Sequence, residues 1–295
     1  ERKGDFFVFS KNWTGSPVVG YRKTERWKLD GKKVGLGTAI ATSGAAVAPH
    51  MALLSISAAR SLLSFVNLRL GLWIKRPRET GAISVGRPSG LQLLKEMFGF
   101  GMSHDSDWLL VTDGGHLDNS GVYELLRRRC RFIVAVDASA DPDGEFQTLI
   151  TLIRHARIDL GIEIQCDLNE IRPTGDQGLS PAHGTLCRIV YPEEPDVVCL
   201  MLYLTTSMTG DEPELIKAYQ RNHTDFPNQP TTDQFFDEHQ FEAYRRLGVH
   251  AARSLFEPIL LGHSDSPGSP SAKPSSVHDW LARLYRRIPP GGQKL

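Results

Sequence analysis

The sequence predicts an α/β fold with a central, largely parallel sheet, and three features of its middle third carry that prediction. Residues 108–111 and 132–136 are short apolar runs without polar alternation, which is typical of strands covered on both faces. A glycine-rich turn over 113–121 follows the first run, and residues 123–129 have the composition of a helix ending in arginines. A strand, a short helix and a second strand within ~30 residues make a βαβ unit, whose strands are parallel.

The elements before this unit are predicted to be mostly short strands. Residues 1–38 alternate polar and apolar side chains and are rich in aromatic residues, as strands are. Turns are expected where this pattern is interrupted, at Asn12, 15–17 and 30–31. The next stretch, 39–49, is small and alanine-rich and ends at a proline.

An apolar stretch over residues 51–74 has almost the composition of a membrane span. A spanning helix needs about 20 mostly apolar residues with few charges. Because Arg60, Asn67 and Arg69 interrupt the stretch and serines dilute it further, we expect a buried or interfacial segment instead. Within it, the pattern predicts a helix up to residue 66 and then a strand.

The elements after the βαβ unit are predicted to include both helices and strands. Helices are expected over 145–158, 212–220 and 231–247, and strands over 186–191 and 197–205. The last helix opens with Thr231 and Gln234 at the spacing of a capping box. Four of its residues share one face: Phe236, Ala243, Tyr244 and Leu247. A Ser/Pro-rich stretch, 263–276, predicts a flexible linker, and 277–295 a tail with a short helix.

Charge and cysteine content narrow the class of protein. The 295 residues contain 34 Lys plus Arg and 34 Asp plus Glu, so nothing resembles the basic footprint of a nucleic-acid-binding protein. With 40% hydrophobic residues, the chain can bury a core for one large domain or two modest ones. The cysteines match no CxxC spacing, and we expect reduced, partly buried thiols of an intracellular protein: Cys130, Cys166, Cys187 and Cys199.

The most informative polar residue is Asp113, which follows the first predicted buried strand. Ligands and catalytic groups of open α/β folds gather at the carboxyl ends of strands, and Gly114 and Gly115 let the backbone turn sharply there. The carboxylate is therefore placed to orient or activate a nucleophile. An aspartate before glycines also often caps its own turn, so the residues alone leave both roles open.

The residues around Asp113 resemble the D-G-[GA] box of patatin-like and cytosolic phospholipase A2-like acyl hydrolases. The box is formed by residues 112–115, followed by Asn119 and the predicted helix from residue 121. Three further stretches are similar to segments of that family and occur in the same order, namely 43–49, 133–140 and 225–229. The resemblance covers about residues 5–255. It implies a patatin-like three-layer fold with its N-terminal part missing, residues 1–262 being the C-terminal portion of the domain.

The resemblance implies a lipid acyl hydrolase of phospholipase A2 or lysophospholipase type, which cleaves carboxylic esters through a Ser–Asp dyad. Asp113 is then the general base, Gly114 and Gly115 support its turn, and the chemistry needs no metal or organic cofactor. The family's serine lies in a G-x-S-x-G elbow after a glycine-rich oxyanion loop, and this sequence contains neither motif. We therefore expect both upstream of residue 1. The alternative is a non-catalytic fragment or interaction module that retains the fold.

Other assignments of the site residues stay open. Ser43 has the small neighbours of a nucleophile elbow, although alanines replace the outer glycines. Ser43, Asp113 and His116 also follow the chain order of an α/β-hydrolase triad, although an acid and a base three residues apart are hard to arrange. Asp113, His116 and Asp118 form a candidate metal-ligand set. A histidine in such a loop is more often solvated than bound to a metal.

Two more features have both a functional and a structural interpretation. Asp137, which ends the second predicted strand, either shapes the field of a pocket or accepts backbone hydrogen bonds in the turn before Pro142. The arginines of 127–131 either meet phospholipid headgroups or form a solvated helix end.

The expected partners follow from the implied activity. They are a phospholipid or another lipid ester and, transiently, a membrane surface, without nucleic acid. The oligomeric state is not indicated. The expected location is the cytoplasm or the membrane periphery, with any membrane anchor of the full-length protein outside these 295 residues.

Overall fold

The computed structural model describes residues 4–29, 32–43, 72–75, 83–85, 108–175, 178–230, 236–260 and 279. The protein is mixed α/β, as predicted, and divides into two compact units, Glu1–Gly121 and Val122–Leu295. Strands β1 to β12 are Val8–Phe9, Trp13–Ser16, Gly20–Lys23, Trp27–Leu29, Lys32–Lys33, Leu72–Lys75, Ile83–Val85, Trp108–Val111, Phe132–Asp137, Glu163–Gln165, Gly184–Tyr191 and Glu194–Thr205. Helices α1 to α5 are Leu36–Ser43, Val122–Arg127, Gln147–Leu160, Glu214–Asn222 and Glu238–Leu260. Short 3₁₀ turns are Thr24–Arg26, Gly114–His116 and Leu168–Glu170.

The first unit contains two sheets and α1. Strands β1, β2 and β3 form an antiparallel sheet, which confirms the short strands predicted near the N-terminus. The second sheet has the order β5-β4-β7-β6-β8, and β4 and β7 are its parallel pair. Its core is formed by Trp27, Val34, Ile74 and Val111. Phe7 packs edge-on against Trp27 with ring centroids 5.5 Å apart, so the N-terminal strands share that core.

The second unit has a four-stranded sheet of order β10-β11-β12-β9. Strands β11 and β12 form a hairpin, because the tight turn at Pro192 and Glu193 is too short for anything but antiparallel pairing. Strand β9 runs parallel to β12, in a register that extends from Phe132 opposite Leu200 to Asp137 opposite Thr205. The carboxyl ends of β9 and β12 therefore lie at the same edge of the sheet.

The predicted βαβ unit and the largely parallel sheet are wrong for the strands that the structure describes. Strand β8 pairs antiparallel with β6, whereas β9 pairs with β12, so the two strands belong to different sheets. The apolar pattern located both strands, but the choice of partner depends on segments distant in sequence. Strand β9 also alternates, with Ile133 and Ala135 buried and Val134 and Val136 exposed, so it is not covered on both faces.

Helices α2, α3 and α4 lie within two residues of their predicted positions, whereas α5 begins seven residues after its predicted start and ends thirteen residues after its predicted end. Helix α3 ends at Gly161, which adopts the left-handed conformation with φ 66° typical of a helix C-cap. Helices α4 and α5 pack together around a core that includes Ile216, Ala243 and Leu247. The predicted apolar face of the last helix is therefore confirmed at those last two positions, whereas Phe236 lies before α5 and is 55% exposed.

Two predicted features at the C-terminal side fall on residues outside the description. These are the capping box at Thr231 and Gln234, and the linker and tail over 263–295, of which the structure describes Asp279 alone. Helix α5 instead begins after Asp237, whose carboxylate accepts a hydrogen bond from the Gln240 N–H at 2.7 Å.

The expectation of four reduced thiols is wrong. Cys166 and Cys187 form a disulfide, with their Cα atoms 4.4 Å apart, and Cys130 and Cys199 are free. The β10–β11 register places Gln165 opposite Arg188, so the next pair of residues along the hydrogen-bonded strands is Cys166 and Cys187. Such a pairing depends on strand register and cannot be read from cysteine spacing.

In the described part of the chain, no helix is both long and apolar enough to cross a membrane. Of the apolar stretch 51–74, the structure describes 72–74, which confirm the predicted strand as part of β6. The helix predicted up to residue 66 lies outside the described residues.

Candidate active site

Asp113 lies just after the carboxyl end of β8, where the sequence places it. Its Oδ1 accepts a hydrogen bond from the Gly115 N–H at 2.8 Å, and the residue caps the 3₁₀ turn Gly114–His116. The side chain is half-buried. Capping of its own turn is one of the two roles that the sequence leaves open for Asp113. It also fixes the orientation of the carboxylate, which a catalytic base requires as well.

The two glycines of the box differ in how tightly they are surrounded. A Cβ on Gly115 would overlap the Asn119 side-chain oxygen and approach Asp113 Oδ1 to 3.2 Å. A Cβ on Gly114 would meet nothing within 4 Å among the described residues. A side chain at position 115 therefore requires the exposed Asn119 side chain to move and lies tightly against Asp113, whereas position 114 is open.

The remainder of the loop is held by a second capping interaction. Asp118 Oδ1 accepts hydrogen bonds from the N–H of Ser120, at 2.9 Å, and from the same residue's hydroxyl. Gly121 then adopts φ 69°, a conformation that favours glycine, and α2 begins at the next residue. The loop is therefore built from short-range contacts that its own sequence specifies.

The other residues proposed for this site are placed only in part. Ser43 is the last residue of α1 and is exposed, while residues 44–49 after it lie outside the description. The side chain of His116 is likewise not described. The triad of Ser43, Asp113 and His116 and the metal set of Asp113, His116 and Asp118 therefore stay hypotheses.

Asp137 is engaged within the second unit. Its Oδ1 accepts from the Ser139 N–H at 3.0 Å, and its Oδ2 accepts from the Tyr203 hydroxyl at 2.6 Å. Burial, together with this hydrogen bond, raises the pKa of Tyr203, which therefore stays protonated and donates. The turn interpretation of Asp137 is thus confirmed.

A cavity of about 220 Å³ opens beside Asp137, at the edge where the parallel strands β9 and β12 end. Its polar lining includes Asp137, Asp141, Ser207 and Asn228. Asp141 accepts from the backbone N–H groups of Glu145 and Phe146, and its own N–H donates to Asn228. The carboxylates of Asp137 and Asp141 are therefore satisfied by the protein's own donors, which indicates a structural role for these two. Asp225 also lines the cavity.

The arginines at the end of α2 form ion pairs rather than a free basic patch. Arg127 and Arg128 both pair with Glu124, at 2.8 and 2.9 Å. Arg129 pairs with Glu193, and Arg131 with Glu194 in the β11–β12 hairpin. These pairs are largely exposed, which supports the interpretation as a solvated helix end.

The structure also brings together a cluster of ionisable side chains that sequence analysis missed, formed by His183, Asp211, Glu212 and His250. Its donor atoms lie within 4.8 Å of one another. Burial and the neighbouring His250 lower the pKa of His183, so its imidazole is neutral near pH 7. No spacing motif indicates this cluster, because its members come from three separate segments of the chain.

Comparisons of the chain with protein-family models, with curated protein sequences and with solved structures found no match.

Proposed function

We propose that the chain belongs to the patatin-like lipid acyl hydrolases and that Asp113 is the base of a Ser–Asp dyad. One observation supports this most directly. The carboxylate lies at a strand end, half-buried and oriented by the Gly115 N–H, in a turn where a Cβ at position 115 would lie tightly against Asp113 Oδ1. The resemblance in the box and in three further stretches supports the same assignment; the sheet topology adds nothing to it.

The geometry assigns different roles to the two oxygens of Asp113. Oδ1 is held by Gly115, so Oδ2 is the oxygen to which we assign proton transfer. The serine hydroxyl attacks the acyl carbonyl while its proton passes to Asp113. The ester C–O bond then breaks, and the proton leaves with the departing alcohol. Water, deprotonated by the same carboxylate, hydrolyses the acyl-enzyme and regenerates the serine.

The nucleophile is assigned by the resemblance to a G-x-S-x-G elbow upstream of residue 1. Ser43 is the alternative nucleophile within these residues, since it is exposed at the end of α1. The implied substrate is a glycerophospholipid or another lipid ester at a membrane surface. The acyl position is not specified by any residue described.

Covalent labelling tests this proposal. A fluorophosphonate probe reacts with an activated serine, and mass spectrometry of the labelled peptide identifies which one. We expect the full-length protein to be labelled at a single serine and Asp113→Asn to be labelled much more slowly. Asp196→Asn, an exposed aspartate in β12, is the matched control. Labelling at Ser43 would move the nucleophile into this chain. Equal labelling of wild type and Asp113→Asn would show that the serine is activated without Asp113 and would overturn the dyad. No labelling in either would assign the chain to a non-catalytic module.

A further inference from the structure

We propose that His183, Asp211, Glu212 and His250 form a binding site for a divalent transition-metal ion of the zinc class, which ties three segments of the second unit together. His183 precedes β11, the two carboxylates lie in the loop between β12 and α4, and His250 belongs to α5. One donor atom from each residue lies within 4.8 Å of the others. This site is independent of the proposed hydrolase chemistry at Asp113.

The separations suit a four-coordinate ion. Zinc lies about 2.0–2.2 Å from imidazole nitrogen and carboxylate oxygen, which places tetrahedral ligand atoms about 3.3 Å apart. His250 Nε2 already lies 3.1 Å from Asp211 Oδ1. The His183 and His250 rings are perpendicular, with centroids 5.2 Å apart. To bind one ion together, the donors that lie up to 4.8 Å apart must close to about 3.3 Å.

The hydrogen bonds at the cluster leave acceptors that a cation would satisfy. The Thr209 hydroxyl lies within hydrogen-bond distance of Asp211, of Glu212 and of His183 Nε2, at 3.2 Å from the last. Since it carries one hydrogen, it serves one of these acceptors at a time. Among the described residues, neither carboxylate forms an ion pair with a Lys or Arg, and Asp211 contacts the His250 ring, which carries a charge only when it is protonated. A divalent ion supplies the missing positive charge.

The burial of Glu212 is the strongest evidence that the cluster needs a positively charged partner. It is only 3% exposed, and burial of a carboxylate is costly unless it is paired. The N–H groups of Thr209 and Gly210 donate to its two oxygens. Because each carboxylate oxygen has two lone pairs, these bonds orient Glu212 and still leave it able to bind a metal.

His183 is oriented in the way that metal-binding histidines usually are. Its Nδ1 lies 3.3 Å from the Ser207 hydroxyl, which can accept the ring N–H. That tautomer leaves the lone pair of Nε2 directed toward the loop that carries both carboxylates. A hydrogen-bond partner on the second ring nitrogen is the common means of fixing the ligand tautomer.

The position of α5 beside His183 is set by packing and not by the metal. A Cβ on Gly184 would come within 3.1 Å of Leu255 Cδ1 on α5 and 2.7 Å of the Tyr203 carbonyl oxygen. Glycine at 184 therefore permits a close approach of helix and strand, which brings His250 to the cluster. The segments that carry the four side chains are therefore brought together before any ion binds.

The donor set selects among cations. Two imidazoles with two carboxylates suit zinc and its transition-metal neighbours, whereas magnesium and calcium prefer all-oxygen sites. Four protein ligands are typical of structural zinc sites, since catalytic ones keep a position open for water. We therefore assign a structural role to the ion, which would hold the β12–α4 loop in place. Ser207 and Met208 of this loop line the neighbouring cavity.

Zinc binding by the untagged protein, after treatment with a chelator, tests this site. We expect one zinc ion per chain by competition with a chromophoric chelator, a rise in Tm on zinc addition, and no comparable effect of magnesium or calcium. His250→Ala and Asp211→Asn should each weaken zinc binding by about 10-fold to 100-fold or more. These two ligands are the more accessible ones, at 18% and 71% side-chain exposure, so both variants should fold.

The matched control is His239→Ala, an exposed histidine in the first turn of the same helix. It should bind zinc and gain Tm as the wild type does. The proposal is overturned if zinc binds the wild type no more tightly than a His183→Gln/His250→Ala variant shown to be folded by circular dichroism. Equal loss of binding in His239→Ala, or equal affinity for magnesium, overturns it as well.

Discussion

The Asp113 turn and the His183 cluster place polar groups in two different ways. In the turn, Asp113 accepts a hydrogen bond from Gly115, two positions further on, and the side chain of Asn119 lies next to Gly115. In the cluster, His250 meets Asp211 over a separation of 39 positions and Thr209 meets His183 over 26. The first arrangement is a property of one short segment, whereas the second exists only when a sheet, a loop and a helix have packed. A motif can therefore point to the first and cannot point to the second.

The largest effect expected at the turn is on catalysis. Asp113→Asn keeps the shape of the side chain, and its amide oxygen can still accept from Gly115, but it removes the base. Loss of a general base lowers rates by about 10²- to 10⁴-fold. We expect that fall in kcat for a fluorogenic lipid ester with full-length protein, with KM little changed.

A change confined to KM would contradict this assignment, because it would show that Asp113 binds substrate and does not transfer the proton. Asp113→Ala provides a second comparison. It loses the turn cap as well, so it should lower both kcat and the free energy of unfolding of the first unit.

The same contrast between local and long-range contacts decides how much of the fold the sequence predicts. Apolar runs and the turn residues that bound them predict five of the elements, and all five lie near their predicted positions: β8, β9, α3, β11 and β12. The partner of β8 does not follow, because its ladder with β6 joins segments more than thirty residues apart. Residues 108–137 carry a βαβ pattern, yet nothing in them shows that each strand has a better partner elsewhere.

The candidate sites divide along the same line. Asp113, its glycines and its capping geometry are predictable because turn chemistry is local. The Cys166–Cys187 disulfide and the four-residue cluster are not, because strand register and helix docking bring those side chains together. Histidines and acidic residues far apart in sequence carry no signal by themselves, and one sequence shows no covariation between them.

The disulfide allows the contribution of one long-range contact to the free energy of unfolding to be measured. It closes a separation of 21 residues, and a cross-link of that length stabilises a fold by about 3 kcal/mol. We expect Cys166→Ala/Cys187→Ala to lose about that much free energy of unfolding in urea, followed by far-UV circular dichroism without reductant.

Cys130→Ala is the control, because Cys130 is a free thiol that is not fully buried. Wild type in reductant should resemble the double variant. If reductant leaves the urea midpoint of the wild type unchanged, while the double variant is destabilised, packing of the two side chains and not the cross-link explains the loss.

A smaller effect on stability is expected from the two glycines of the Asp113 turn. Gly115→Ala displaces the exposed Asn119 side chain and places a methyl group tightly against Asp113 Oδ1, so we expect a loss at the lower end of overpacking costs, about 1 kcal/mol. Gly114→Ala adds its methyl group to open space, so we expect a clearly smaller loss. Urea unfolding followed by tryptophan fluorescence reports mainly on this unit, which contains four of the five tryptophans: Trp13, Trp27, Trp73 and Trp108. Equal losses in the two variants would show that the contact with Asp113 relaxes at no cost and that Gly115 does not specify the turn.

An effect of about the same size is expected at the start of α5, the helix that carries His250. Asp237 accepts from the Gln240 N–H and so satisfies one of the free donors of the first turn. Asp237→Ala should lose about 1 kcal/mol, whereas Asp237→Asn should keep nearly all of the stability because asparagine caps as well as aspartate. Hydrogen exchange of the first turn of α5 measures the difference locally. Faster exchange in the alanine variant alone assigns the cap to Asp237, whereas unchanged exchange in both variants would show that Asp237 is not the effective cap. This contact spans only three positions, so it is local, although the unit also contains the long-range cluster around His183. Asp237→Ala therefore tests formation of the helix start separately from the packing of α5 beside His183.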